Sequence, residues 1–478
     1  MPQTNLSRRD LFGLASAATA AAALPSIFAV PAAQAQEAGA SDRTDRIGAP
    51  ALLRSVERAV AFQNFMMDAY ATGATVRLAQ SYSDEALGAT AFTYDNAVAI
   101  HAYLADRTTD SMGRAEVLGN GLLYAQAHNF PYNDGRFAQA YYVNVPAADN
   151  SGAYITPAAA PFYFYTSTVG DQAWAGMALA QLYLRTGKAP YLTAALQVAN
   201  WIVRNTYSTV GAGGYSFGTN INSSNQSVPS TNGKSTEHNI DTYAFFTMLA
   251  TLTRDANASN GMQWSALAQH ALTFVAAMYN AAGPYFYTGT LGDQKTINTS
   301  PIPEDCQTWS YMATLNAAWR HTIEWALNNL ETTDTPQSPH SSLTGSETIH
   351  GLVFDTASLS TTAYDAHAVW LEGTAHAVAA LVTRVLRGAD PVSGLITDLS
   401  EALGLLRQCE KAQALLGAGK TAGGHPIPQG LGLVAATSVM DTGFGYTYGP
   451  SLHVGATGWY LLAALAANPF QLGYRTLP

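Results

Sequence analysis

The chain has 478 residues, 48% apolar and 12% charged, with 33 acidic against 23 basic side chains and a formal net charge of −10. No basic run follows Arg9, and neutralising phosphates takes clustered Lys and Arg, so nucleic acid is excluded as a partner; the same shortage speaks against polyanionic sugars. Cys306 and Cys409 are the only cysteines, so the fold rests on a hydrophobic core, which this length allows in one big domain or two, and whether the two thiols meet is open.

In chain order, Ser7-Arg8-Arg9-Asp10-Leu11-Phe12 precedes an alanine-rich apolar run from Ala15 to Val30 and a small-residue cleavage site, Ala33-Gln34-Ala35. This is the three-part pattern of a signal peptide over residues 1–35. Its paired arginines resemble the twin-arginine export signal, read by a translocon that carries folded proteins, so a periplasmic or secreted location is expected. The apolar run is too short to persist as a membrane anchor. Residues 36–48 read as a mobile leader, and 49–478 as a single folded domain, expected to be a monomer.

Leu53, Val56 and Val60 form the stripe of a helix with one buried face, over 52–70. A theme then recurs every 60 to 80 residues: a polar opening, an apolar helix, a turn and a return helix. The openings are Thr93-Tyr94-Asp95-Asn96, Gly170-Asp171-Gln172, Ser235-Thr236-Glu237, Glu304-Asp305-Cys306-Gln307, Tyr364-Asp365-Ala366-His367 and Leu452-His453. Five hairpins are complete, and the sixth has one helix, over 453–467, whose natural partner is the lone helix at 52–70. Pairing them closes twelve helices into an all-α ring and hides apolar faces that a linear array would leave wet. Asn133-Asp134-Gly135-Arg136 reads as a turn into a short strand through Tyr141-Tyr142-Val143, and 331–340, rich in Thr, Pro and Ser, as a loop.

Carboxylates stand at or beside five openings: Asp95, Asp171, Glu237, Asp305 and Asp365. Capping accounts for an Asp at a helix start without any further role. Glu237 is different, because Ser235 or Thr236 already offers a cap, leaving Glu237, His238, Asn239 and Asp241 as surplus polar groups on one turn before an apolar helix. Glu372, in Trp370-Leu371-Glu372-Gly373-Thr374, stands inside an otherwise apolar helix. Burial there is expected to raise its pKa as a general acid requires, unless Thr374 or His376 satisfies it within the wall. Aromatic residues crowd the same places: Phe162 to Tyr165, Tyr285-Phe286-Tyr287, then Phe444, Tyr446 and Tyr448 ahead of His453, with Trp174, Trp309 and Trp370 just inside three helices. Aromatic faces beside carboxylates suit the C–H faces of sugar rings. No metal-ligand spacing, phosphate loop or nucleophile elbow is found, so neither metal nor cofactor is expected.

These motifs, with Gly170-Asp171-Gln172-Ala173-Trp174, Asp305-Cys306-Gln307-Thr308-Trp309, Gly458-Trp459-Tyr460 and Asn468-Pro469-Phe470, resemble the six-hairpin glycosidase superfamily across the mature chain. The resemblance implies an (α/α)6 toroid with a few short strands in its loops and a cleft at one mouth holding two acidic residues. Glu237 and Glu372 are the expected acid and base, their roles unassigned, with Asp95 and Asp171 in reserve. Trp174, His238, Asn239, Asp241, Asp305, Trp309, Asp365, Trp370, Tyr448 and His453 are the expected substrate contacts. Carbohydrate is the expected partner and glycoside hydrolysis the leading reading. A polysaccharide lyase recruiting His238, Asn239 and Tyr448, and a non-catalytic carbohydrate-binding toroid, stay open.

Overall fold

A computed structural model describes residues 49–474 apart from 71–75, 130–131, 146–148, 150–152, 154, 158–165, 223, 225 and 389–391. The expected signal peptide and leader, the aromatic run from Phe162 to Tyr165 and most of the turn at 388–391 therefore lie outside the described residues. Twelve helices form the ring: α1 (Ala49–Asp68), α2 (Thr93–Asp106), α3 (Thr109–Ala127), α4 (Val169–Thr186), α5 (Ala189–Thr206), α6 (Thr236–Leu252), α7 (Trp264–Ala277), α8 (Asp305–Thr314), α9 (Thr322–Leu330), α10 (Leu371–Arg387), α11 (Val392–Leu415) and α12 (Val454–Ala464).

The even-numbered helices are the inner wall, each packed on the next, and α12 returns to α2. Their sequences suit that place, being apolar and small-residue-rich all round: every residue of α10 from Leu371 to Leu386 is buried. Each outer helix packs on the inner helix of its own hairpin, and α1 packs on α12. That closure is specific, with Gln63 Nε2 donating to the Val454 carbonyl at 2.8 Å and Tyr460 donating to Ser55 Oγ at 2.7 Å. Side-chain caps from Thr108, Thr168, Ser235 and His453 start α3, α4, α6 and α12.

A single device repeats at the start of every inner helix and fixes how each hairpin meets the one before it. The amides of Asn96, Gln172, Asn239 and Gln307 each accept from a backbone N–H and donate to the carbonyl of the same residue: Ala79, Phe137, Tyr215 and Phe286 in turn. Thr374 and Thr457 replace the amide in the last two hairpins, accepting from the N–H of Leu352 and Leu433 while donating to their own helix starts. Every clamped residue follows the preceding outer helix, so the loops at this end are pinned where their backbone polar groups would otherwise be buried unpaired.

Short antiparallel strands lie in the loops. Ala140–Tyr142 pairs with Thr90–Phe92, as its sequence suggested. The stretch 331–340 is only partly a loop: Glu331–Asp334 is a strand paired with Ile349–Leu352, its adjacent β-branched Thr332 and Thr333 favouring extended backbone over a turn. Both cysteines are free and buried. No helix among the described residues is long and apolar enough to cross a membrane.

The ring is plugged at one end. Beyond α12, Phe470 packs against Trp174, Trp309 and Trp459 at centroid distances of 5.3, 5.4 and 6.3 Å. The plug is tied to the helix ends by Asn468 and Gln471, both donating to the Met312 carbonyl, and by Gln181, which bonds Gln471 and Gly473. The axis is thus a pit with a floor.

Candidate active site

The floor of the pit is indole. Trp174, Trp309 and Trp459, from α4, α8 and α12, meet at centroid distances of 5.3 to 5.6 Å. They occupy the second turn of their helices, and His376 of α10 joins them 4.3 Å from Trp459. One turn above stand the carboxylates, because the first turn of each inner helix faces the same mouth.

Glu372 is held on three sides. Tyr94 of α2 donates to its Oε1 at 2.5 Å while accepting from the Trp459 indole at 2.7 Å. His376 lies 3.8 Å from the same oxygen and His453 Nδ1 3.5 Å from the other. Burial would raise its pKa, but His376, His453 and Tyr94 together hold it below the usual carboxylate value. This reverses the expectation of a raised pKa, and the reason is two histidines supplied by the ring. His453 also meets Asp95 through Nε2 at 3.1 Å. When the ring is neutral its Nδ1 accepts the Ala456 N–H and Nε2 carries the proton toward Asp95, and against burial Asp95 and Glu372 raise its pKa. Gly455 makes the crowding possible, since a Cβ there would lie 2.7 Å from Asp95 Oδ1 and 3.0 Å from Glu372 Oε2.

Glu237 has the opposite setting. Burial, then the charges of Asp305, Asp171 and Glu372, push its pKa well above the ordinary value. Asp241, one turn on, is raised well above the ordinary value by burial and then by Glu237 and Asp305, against the lowering effect of the Trp174 indole N–H. Asp171, hydrogen-bonded by Thr168 at 2.6 Å, is raised to about 7 by burial and then Asp95. The carboxylates thus act mainly on one another and on two histidines. The indole N–H groups of Trp309 and Trp370 are buried and close no hydrogen bond. Among the described residues no group of three His, Cys, Asp or Glu side chains is disposed to hold a metal.

Solved structures with the same helical ring cover most of the chain. A GH76 α-mannanase from Bacteroides thetaiotaomicron aligns with a TM-score of 0.52 at 13% identity, over 87% of this chain and 95% of its own. The fold the two share is a closed ring of six helical hairpins. A family 76 glycoside hydrolase from a bovine Bacteroides thetaiotaomicron strain gives 0.51 at 14% identity, over 87% and 77%. A glycosidase in complex with glucose gives 0.51 at 11%, over 90% and 98%. No protein-family model and no curated protein matches the chain.

Within this six-hairpin toroid, Asp95, Asp171, Glu237, Asp305 and Glu372 converge, with Asp241, Trp174, Trp309 and His453. Trp370 and Tyr448 stack at the rim, 6.1 Å apart and 11° from parallel. One expectation is corrected, and two other expected residues are engaged by the fold itself. Asp365 is not at a helix start: α10 begins at Leu371, after Trp370 has bridged to Leu352 and Ala436. Asp365 instead accepts the His367 N–H in its own loop and lies beside Asp334. Asn239 is a clamp, its amide bonded to Tyr215 and to the Ser235 carbonyl. His238 is wedged against Phe217 and Gly170 and kept neutral, its pKa pushed down to about 4 by burial. Tyr94, Glu304, His376 and Trp459 were not among the expected site residues; only His376, four residues after Glu372 on one helix face, carried a spacing signal.

Proposed function

We propose that the protein is an exported glycoside hydrolase that cleaves a poly- or oligosaccharide with Glu237 as proton donor and Glu372 as the ionised base. The observation that carries this reading is the opposite setting of two glutamates in one indole-floored pit, since pushing the pKa values of paired carboxyls apart is how acid and base roles are separated at one pH. Sugar rings would rest their C–H faces on the half-buried Tyr448 at the mouth, above the wholly buried floor of indoles. Glu237 protonates the glycosidic oxygen as the C–O bond breaks, charge develops on the anomeric carbon, and water attacks that carbon while losing its proton to Glu372. Tyr94 and His376 orient Glu372, and Asp95 does the same for His453. Asp171 is the reserve acid.

The likeness to GH76 α-mannanases and to a glucose-bound glycosidase favours a carbohydrate substrate at the level of fold. Its neutral character is favoured by the pit's own chemistry, because a uronate-cleaving lyase needs cations or amides against the substrate carboxylate, and here carboxylates predominate. Export folded through the twin-arginine pathway, a periplasmic or secreted location and a monomeric state complete the proposal. The test is a panel of neutral polysaccharides assayed for new reducing ends. Release without near-ultraviolet absorbance supports hydrolysis, whereas absorbing unsaturated products mean a lyase and binding without release means a non-catalytic toroid.

A further inference from the structure

Three Phe, Tyr or Trp side chains are exposed among the described residues, and all three sit on one corner of the mouth: Tyr364 at 38%, Phe444 at 45% and Tyr446 at 49%. Elsewhere aromatic side chains are wholly or mostly covered, so this corner is set apart. Its loops are joined to one another, the Asp365 N–H donating to Val439 and Ser358 Oγ to the Asp441 carbonyl. The hairpin of Met440–Asp441 with Thr447–Tyr448 is closed by Thr442, which donates to the Tyr446 carbonyl through N and Oγ. Gly443 at its tip has φ +70°, and a Cβ there would fall 2.8 Å from Asp355 Oδ2, so the turn sits hard against the neighbouring loop. The exposed rings are therefore held in place before any ligand arrives.

They are also continuous with the pit. Trp370 packs on Phe354 at 4.7 Å, and Phe354 in turn meets Tyr448, Phe444 and Tyr446 at 5.9, 6.1 and 6.4 Å. Exposure rises along this ladder, from the buried Trp370 and Phe354 through the half-buried Tyr448 to Phe444 and Tyr446. The Tyr446 hydroxyl is within electrostatic reach of Glu237 and Asp305. No Lys or Arg occurs from 321 to 383 or from 421 to 474, the segments that carry the ladder.

We infer that the Phe444–Tyr446 rim is a chain-binding surface for neutral sugar, so that the substrate is a polysaccharide with one unit in the pit and its neighbours laid along the aromatic ladder. The commitment to a sugar chain follows from that continuity: a ligand in the pit leaves past Tyr448, and the rings it meets there are graded outward, uncharged and prepositioned. The inference rests on the hydrolase reading for what fills the pit, but not on turnover.

The test is retardation in native gels cast with α-1,6-mannan, dextran or mixed-linkage β-glucan, using the wild-type chain and its Glu372→Gln form, each with and without Phe444→Ala. At least one polymer should retard the parent proteins. Phe444→Ala should weaken that retention about tenfold, as loss of one aromatic contact does, while Phe444→Tyr restores it. Equal retention of Phe444→Ala, no retention of the parent by any of the three, or a dimer of the parent that Phe444→Ala abolishes would each overturn the inference. Failure of the hydrolase reading looks different: retention persists and no reducing ends appear.

Discussion

His376 Nδ1 lies 3.0 Å from Glu304 Oε2, and neither side chain has any exposure. The other ring nitrogen faces Glu372, so the imidazole is held between two buried carboxylates. Burial lowers the pKa of His376, but Glu304 and then Glu372 overcome it and raise the value from 6.5 to about 9. A raised folded-state pKa means the fold binds this proton more tightly than the unfolded chain does. The resulting stability is fully present below the unfolded value and is lost as pH rises through about 9. Glu304→Gln should therefore lower stability near neutrality and flatten its fall toward alkaline pH, as read by urea unfolding at about pH 6, 8 and 10. An unchanged slope would contradict the pairing.

The clamp residues should matter to the fold and not to the chemistry. Asn239→Ala leaves the Tyr215 N–H and carbonyl buried without partners, at a cost of about 2 to 4 kcal/mol. Gln172→Ala should act in the same direction but less strongly at Phe137, whose N–H loses its partner while its carbonyl keeps Ser167 Oγ. Denaturant midpoints measure this, and a change under about 0.5 kcal/mol at both positions would mean the loops are not held by these amides.

Gly455→Ala should do the reverse. The added methyl would press on Asp95 and Glu372, displacing the base within a fold that otherwise stays closed. Activity should fall on the order of 10²-fold while thermal unfolding shifts little; full activity would mean the two carboxylates need not be where they stand.

Closure of the ring depends on α1. Removing residues up to Tyr70 uncovers α12 and strips Ser55 and Gln63 from Tyr460 and Val454, so the whole ring should lose thermal stability. Unfolding at the wild-type temperature would refute that dependence.

The helices were legible because their signals are local: Ser235 as a cap, the polar openings, and a recurrence that leaves one helix over at each end. Glu237 was legible for the same reason, as a polar group surplus to its cap. What was not legible depends on contacts across the ring. Asn239 looks like a site residue beside Glu237, and only its bond to the loop after α5 reveals the clamp. Glu372 looks like a raised carboxyl until His453 arrives from α12 and Tyr94 from α2. Asp365 resembles Asp95 in its Tyr-Asp setting, but strand-like pairing of Trp370 delays α10 past it.

The division of roles between Glu237 and Glu372 is tested most directly with substrates that differ only in leaving group, once the panel has identified the sugar. A proton donor is dispensable when the leaving group departs unaided, whereas a base is not. Glu237→Gln should lose on the order of 10²-fold or more on the natural glycoside yet retain most of its rate on the same sugar carrying a dinitrophenyl leaving group, and Glu372→Gln should lose both. The opposite pattern, or near wild-type rates for both folded variants on the natural glycoside, would contradict the assignment and turn attention to Asp95 and Asp171.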